Sequence, residues 1–354
     1  DAGRLRAMKA RLEAAGIDWT RRRYHKAPSA PATAFDIAAG IATALAIAKR
    51  HRVRLVHARS YIPALIGMAV KRLAGARLLF DMRGLWADER VDGGLWPAGG
   101  SLYRVTKSIE RRLLHSADHI VTLTYASVDE VRKLSAPHEW VPLSVIPTCT
   151  DLRRFRPRPS DPGAPPTFGY VGSVGTWYLF DETLLAFRYF QAERPDARLL
   201  VVNRGEHQRI ASRIAAAGID PACTEVVAAE HRDVPALIAR MSAGAALVKP
   251  AYSKIASAPT KLAEYLACGI PVLGNTGVGD VEILEERKVG VAVESLDEAV
   301  LRAGVARLVA LTRDRDTPGR CRTAAEELFS LDRGVAEYRR IYDSLLAGGG
   351  EERR

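Results

Sequence analysis

A chain of 354 residues, 47% apolar and 26% charged, is long enough for two ordinary domains with a core each, and this balance excludes a disordered or fibrous protein. The formal charge of +11 implies attraction to anions: phosphorylated substrates, an anionic membrane or nucleic acid. The basic residues are dispersed, with knots only at Arg21-Arg22-Arg23 and Arg153-Arg154, and lack the interleaved aromatics of a single-strand platform, which ranks nucleic acid last.

The chain opens with a helical pattern over residues 5–15. Short apolar or β-branched runs at 17–23, 53–58, 77–81, 119–124 and 143–146 then alternate with helical patterns, which predicts a parallel, doubly wound sheet. The longest apolar stretch, 37–48, is too short to span a bilayer and reads as a packed helix. The run at 77–81 ends in Asp81-Met82-Arg83-Gly84, at the carboxyl edge where open α/β sheets bind ligands. There Asp81 can orient a hydroxyl and Arg83 bind a phosphate; a salt bridge between the two is the plainer alternative. His57 and the turn Ser60-Tyr61-Ile62-Pro63 end the neighbouring strand.

Residues 157–166 are too rich in Pro and Gly for an element interior and read as a linker, expected to act as a hinge. It separates a first domain (1–156) from a second (167–331) with strands expected at 167–172, 198–202, 225–227, 245–249, 271–274 and 289–293. A final helix is expected over 332–347 and a frayed end over 348–354. Gly169-x-x-Gly172-x-x-Gly175 follows an apolar strand, where glycines permit close approach of a phosphate to backbone, or merely a strand-to-helix turn. Four cysteines (Cys149, Cys223, Cys268, Cys321) without paired spacing, and without histidines at metal-ligand spacing, argue against disulfides or zinc and fit a reducing cytoplasm.

The densest signal is Ser257-Ala258-Pro259-Thr260-Lys261-Leu262-Ala263-Glu264-Tyr265, followed by Gly269 and Pro271. Pro259 suits a first helical turn and Gly269 with Pro271 stops the helix, so one is predicted over about 259–268. Its N-terminus gathers free N–H groups, the positive dipole end, the hydroxyls of Ser257 and Thr260 and the Lys261 ammonium, a fit for a diphosphate. Glu264 projects from the same face one turn deeper and can accept both ribose hydroxyls. A capped helix with a solvated charged face is the plainer alternative.

Pro259-Thr260-Lys261-Leu262-Ala263-Glu264-Tyr265-Leu266-Ala267-Cys268-Gly269-Ile270-Pro271-Val272 resembles the donor-site segment of the retaining glycosyltransferases of family 4, whose two-domain architecture is called GT-B. Val145-Ile146-Pro147-Thr148-Cys149-Thr150-Asp151 resembles the family's run before the interdomain linker, and Phe168-Gly169-Tyr170-Val171-Gly172-Ser173 its first C-terminal strand and loop. The resemblance implies two Rossmann-like parallel-sheet α/β domains facing each other across a cleft, with the last helix crossing back to the first domain. It implies transfer of a hexosyl unit, with retention, from a nucleoside-diphosphate sugar to a hydroxyl of a polysaccharide or lipid-linked acceptor. No metal or other cofactor is expected. Donor contacts are expected from Gly172, Ser173, Gly175, Lys249, Ser257, Thr260, Lys261, Glu264, Gly277 and Gly279. The last two belong to the loop Asn275-Thr276-Gly277-Val278-Gly279-Asp280, with Asp280 expected to cap the following helix. Asp81 and Arg83 fall on the acceptor side. The implied place of action is the cytoplasm, with peripheral contact at the inner face of the membrane.

Two departures stand out. The family usually places an arginine and a lysine in the loop where this chain has Ser173 and Trp177, and a glutamate where it has Ala256. Phosphate neutralisation then falls to Lys261, with Lys249 or Lys254 in reserve. A nucleotide-sugar epimerase of the same architecture and a catalytically degenerate nucleotide-sugar-binding protein are the competing readings. The family also begins with a buried strand, a glycine loop, a helix and a second strand that residues 1–19 do not follow. The chain is therefore expected to be shortened at its start, with fewer strands in the first sheet, open apolar surface beside 53–58 or 17–23, and poor turnover.

Overall fold

Strands covered on both faces read as nearly continuous apolar runs, and such runs supply both sheets here. The computed structural model describes residues 2–25, 27, 29–135, 141–158 and 163–347. The first half comprises α1 (Ala2–Ala14), α2 (Ser29–His51), β1 (Leu55–Arg59), α3 (Tyr61–Ala74), β2 (Arg77–Asp81), α4 (Trp86–Asp92), α5 (Ser101–Ser116), β3 (His119–Thr122), α6 (Val128–Ser135) and β4 (Leu143–Val145). Its strands pair in the order β1-β2-β3-β4, all parallel.

The second half comprises β5 (Thr167–Val171), α7 (Phe180–Glu193), β6 (Arg198–Val202), α8 (His207–Ala216), β7 (Thr224–Val227), α9 (Val234–Ile238), β8 (Ala243–Ala245), α10 (Thr260–Ala267), β9 (Val272–Asn275), α11 (Ile283–Glu286), β10 (Gly290–Val293), α12 (Glu298–Arg313), α13 (Thr317–Leu328) and α14 (Leu331–Ala347). Its sheet runs β10-β9-β8-β5-β6-β7, again all parallel. Strand order reverses between β5 and β8. At such a switch point adjacent crossovers depart to opposite faces and leave a ligand crevice beyond the carboxyl ends of the strands.

In the first sheet Leu78 and Phe80 share a core with Ala64 of α3 and Leu113 of α5. The alternate residues Leu79 and Val121 pack with Ile146, Ile341, Tyr338 and Tyr342, so α14 lies on the opposite face of the first sheet. The chain passes between domains at Thr150 and returns at Ser330. There the Thr150 N–H donates to the Phe329 carbonyl (2.8 Å) and the Leu331 N–H to the Thr150 carbonyl (3.0 Å).

The passage thus precedes the Pro-rich stretch. Phe155 is already buried in the second core, and Arg322 holds the carbonyls of Leu152 and Phe155. Residues 159–162 of the expected linker and the expected frayed end, 348–354, lie outside the described residues.

Three expectations need correction. Residues 17–23 form no strand, and Ile17 is 50% exposed; a parallel strand there would have to bury Arg21-Arg22-Arg23. The expected strand at 245–249 lies earlier, at β8, because the chain leaves the sheet to meet the β5 turn, where the Lys249 N–H donates to the Trp177 carbonyl (2.9 Å). The apolar stretch at 37–48 belongs to a longer helix: residues Pro31–His51 of α2 are, by length and composition alone, sufficient to cross a membrane. That helix packs on α3 through Ala48 and Val70 and leaves Phe35 and Ile47 exposed. Among the described residues the first sheet has four strands and the second six.

Candidate active site

At the carboxyl ends of β5 and β8 the turn after β5, residues 172–179, meets the segment that follows β8: the Leu179 N–H donates to the Leu247 carbonyl (3.2 Å). Asn203 braces that turn: its Nδ2 donates to the Gly172 carbonyl (2.8 Å) and to Glu206 (3.0 Å), which also accepts the Val174 N–H (3.0 Å). Gly172 sits at φ +127°, and a Cβ there would stand 3.2 Å from Lys261 Nζ. Glycine is the residue that allows this backbone and this approach.

Helix α10 begins at Thr260 with Pro259 as its N-cap, one residue later than expected. Leu262, Tyr265 and Leu266 are buried in the second core, and the Tyr265 hydroxyl accepts the Val171 N–H (2.9 Å). So short a helix, packed on this side, carries its charged residues inward as well.

Lys261 is 5% exposed, with Nζ 4.2 Å from the Tyr170 ring centroid and 3.9 Å from that of Tyr178. Among the described residues Nζ has no hydrogen-bond partner. Cation–π contacts offset part of its lost hydration, but a buried ammonium without an anion remains costly. Burial pulls the Lys261 pKa down to about 7, against the opposing influence of Glu264. Burial likewise pushes Glu264 up to about 7, against the nearby charges of Lys261 and Arg154. Glu264 Oε1 lies 3.7 Å from His231 Nε2. A cavity of about 440 Å³ adjoins this pair, lined in part by Gly172, Ser173, Asn203, Arg204, Glu206 and His231. Two lining residues of this space thus carry the pair: His231 faces Glu264, and Gly172 faces the Lys261 ammonium, which is unpaired among the described residues.

The remaining expected donor residues are less closely gathered. Ser257 is half-buried and its N–H donates to the Lys254 carbonyl (3.0 Å), while Thr260 is exposed. Gly279, at φ +52°, presses the loop after β9 against Ser257, whose oxygen would stand 2.2 Å from an added Cβ. Gly277 is exposed in that loop and Gly175 is half-buried with open space beside it. Lys249 is exposed and joins the site through its backbone N–H alone among the described contacts.

Asp280 does not cap its own helix. Its two oxygens accept the N–H groups of Tyr125 (2.9 Å) and Ala126 (2.8 Å) in the first domain. The clasp is extended by the Ser253 N–H on Asp92 (2.8 Å) and the Tyr252 hydroxyl on Glu130 (2.7 Å). Asp280→Ala should cost the interface about 1–2 kcal/mol, the scale of charge-assisted hydrogen bonds at partial exposure. The expected readout is a larger radius of gyration by solution scattering; unchanged dimensions would mean that closure does not depend on this carboxylate.

Asp81, expected on the acceptor side, is buried beneath α14 and among the described residues pairs with neither Arg83 nor Lys261. Its Oδ2 accepts from the Tyr338 hydroxyl (3.2 Å) and lies 3.6 Å from His57 Nε2, while Oδ1 has no partner among the described residues. His57 in turn meets the Tyr342 hydroxyl (2.7 Å). Arg83 is half-buried on a strained turn at φ +63°. Tyr61 holds that turn by accepting the Trp86 N–H (3.3 Å) and donating to the Gly84 carbonyl (3.2 Å).

His231, Asn203, Glu206 and Tyr338 carry no signal in sequence spacing, since each acts on a residue from another element. Among the described residues no group of three or more His, Cys, Asp or Glu side chains is placed to hold a metal ion.

Residues 153–327 match the family model of the glycosyl transferases group 1, and residues 2–149 that of the glycosyl transferase 4-like domain. The chain carries both domains of a GT-B glycosyltransferase. The two matched regions of this glycosyltransferase meet at the Thr150 passage between the sheets. A glycosyltransferase from Rickettsia africae ESF-5 superposes with a TM-score of 0.71 at 16% identity, over 95% of this chain and 87% of that one. Alr3699/HepE of Anabaena in complex with UDP-glucose gives 0.67 at 16%, over 96% and 89%. Sucrose-phosphate synthase from Thermosynechococcus elongatus gives 0.66 at 17%, over 87% and 77%. At these identities the likeness is one of fold. No curated protein matches the glycosyltransferase in sequence.

Proposed function

We propose that the enzyme moves a hexosyl unit from a nucleoside-diphosphate sugar to a hydroxyl of a polysaccharide or lipid-linked acceptor, with retention of anomeric configuration. The observation that carries this reading is the buried, unpaired Lys261 ammonium beside Gly172, one helical turn from Glu264. A donor diphosphate supplies the missing anion, and Glu264 accepts the ribose hydroxyls. The UDP-glucose complex of HepE, on the same fold, supports a nucleotide sugar as donor.

As the bond from the anomeric carbon to the diphosphate breaks, charge accumulates on the leaving phosphate. Lys261 and the open N–H groups at the start of α10 meet it there. The acceptor hydroxyl passes its proton to a departing phosphate oxygen on the same face, so no enzymic nucleophile takes part. Arg83 binds the acceptor from the first domain, and contacts across the cleft hold water out. Action in the cytoplasm, at or near the inner membrane face, accords with four free cysteines and a net charge of +11.

Incubation with UDP-, GDP- and ADP-hexoses should release nucleoside diphosphate only when a glycan or lipid-linked acceptor is present, and the product should keep the donor anomer. Turnover without acceptor would indicate an epimerase instead. Activity should survive EDTA; complete loss, reversed by magnesium or manganese, would transfer charge neutralisation from Lys261 to a metal.

A further inference from the structure

The turn Tyr252–Ala256 brings a second lysine to the same loop. Lys254 is 5% exposed, with Nζ 3.5 Å above the centroid of the Trp177 ring and 2.9 Å from Glu89 Oε1 of the first domain. Trp177 itself reaches the first domain, where a Cβ on Gly93 would stand 3.1 Å from its Cζ2. Two ammonium groups thus meet one loop: Lys261 at Gly172 and Tyr178, Lys254 at Trp177. The loop from Gly172 to Leu179 contains no Lys or Arg of its own. Of its two visiting cations, one lacks a hydrogen-bonded anion among the described residues and the other is neutralised by a carboxylate from the facing domain.

The backbone ties the pair together. The Lys254 carbonyl accepts the N–H groups of Ser257 (3.0 Å) and Gly279 (2.9 Å), so the turn is fastened to both the approach to α10 and the loop after β9. Glu89 is 42% exposed at its side chain, so releasing it returns a carboxylate to water at little cost. A diphosphate carries more charge and attracts an ammonium more strongly. The Ser253 N–H on Asp92 keeps the turn in place after that exchange.

We propose that Lys254 is the second cation of the diphosphate site, held over Trp177 and paired with Glu89 until the donor arrives, so that donor binding exchanges an interdomain ion pair for a phosphate contact. Lys254 then stands on the substrate, and Glu89 is its positioning residue. The inference rests on the donor reading above.

The test is calorimetric binding of UDP, GDP and ADP, and of the matching monophosphates, to the full chain. Lys254→Ala should weaken diphosphate binding by about tenfold or more and monophosphate binding by less than about threefold. Glu89→Gln should strengthen diphosphate binding by about threefold, because the competing carboxylate loses its charge. A merely structural ion pair would make both substitutions weaken both ligands alike, and that result would overturn the proposal. Diphosphate binding that Lys254→Ala leaves unchanged but Lys261→Ala lowers would overturn the Lys254 assignment alone. Failure of the unaltered protein to bind any of these nucleotides would overturn the donor reading and this inference with it. Should Lys254→Ala not fold, the sign of the Glu89→Gln effect decides: equal or weaker diphosphate affinity counts against the exchange.

Discussion

Lys261→Met should cut nucleoside diphosphate affinity by roughly 10- to 150-fold while leaving the fold as stable as that of the unaltered protein, or more so. The loss corresponds to about 1.5–3 kcal/mol, the scale of a hydrogen bond to a charged group in a desolvated site. Stability should not follow affinity down, because the substitution removes an ammonium with no described partner and replaces it by an apolar chain of similar length between Tyr170 and Tyr178. Monophosphate binding should suffer less, since the proposed donor pose sets the lysine against the diphosphate.

The sign of the pH dependence follows from the same burial. The folded state holds the Lys261 proton less tightly, at about 7 against 10.5 for the free group, so the unfolded chain binds more protons between those values. Stability of the unaltered protein should therefore rise as pH increases through that interval, and the methionine variant should lack this rise. Urea unfolding at a series of pH values, with calorimetry of UDP and UMP, reads both effects. A variant that binds diphosphate normally, or that is markedly destabilised, would show that the ammonium serves packing and not a ligand.

Glu264→Gln should lower affinity for nucleotides, monophosphates included, by about 1–3 kcal/mol with the fold intact. The carboxylate is held up near 7 by burial, against 4.5 for the free group. Its contribution to stability is fully present below the lower value and is lost as pH rises through the folded one. The unaltered protein should lose stability over that window, and the Gln variant should be flatter. Ribose binding needs the ionised form, so monophosphate affinity should climb with pH through about 7 in the unaltered protein and stay level in the variant. Equal pH profiles would remove Glu264 from the ribose. With Lys261 losing its proton above the same value, diphosphate affinity should peak near neutrality.

Both effects rest on a segment that is legible in the sequence itself. Pro259, Gly269 and Pro271 punctuate α10 by backbone chemistry that neighbouring residues control, and the observed helix differs from the expected one by a residue at each end. The alternation of apolar runs and helical patterns likewise marks β1, β2, β3 and β4 and every strand of the second sheet except β8. Residues 17–23 show the limit of that signal: β-branched and aromatic content marks what a strand can contain, but a strand exists only against a partner. Composition marks the prolines at 157–166 as a linker but says nothing of the residues just before them, which the burial of Phe155 and the grip of Arg322 bind to the second domain.

What the sequence by itself determined, then, is the class of most elements and the residues at the start of α10, because these depend on contacts within a few positions along the chain. Tertiary structure alone decided which charges are free. Lys261 is depleted of hydration and of partners by packing on Tyr170 and Tyr178, and Lys254 meets a carboxylate 165 residues away in sequence. Asp280, which reads locally as a helix cap, spends its oxygens on two N–H groups of the opposite domain. Desolvation and long-range pairing set the energy of a charge, and neither is written in its immediate neighbours.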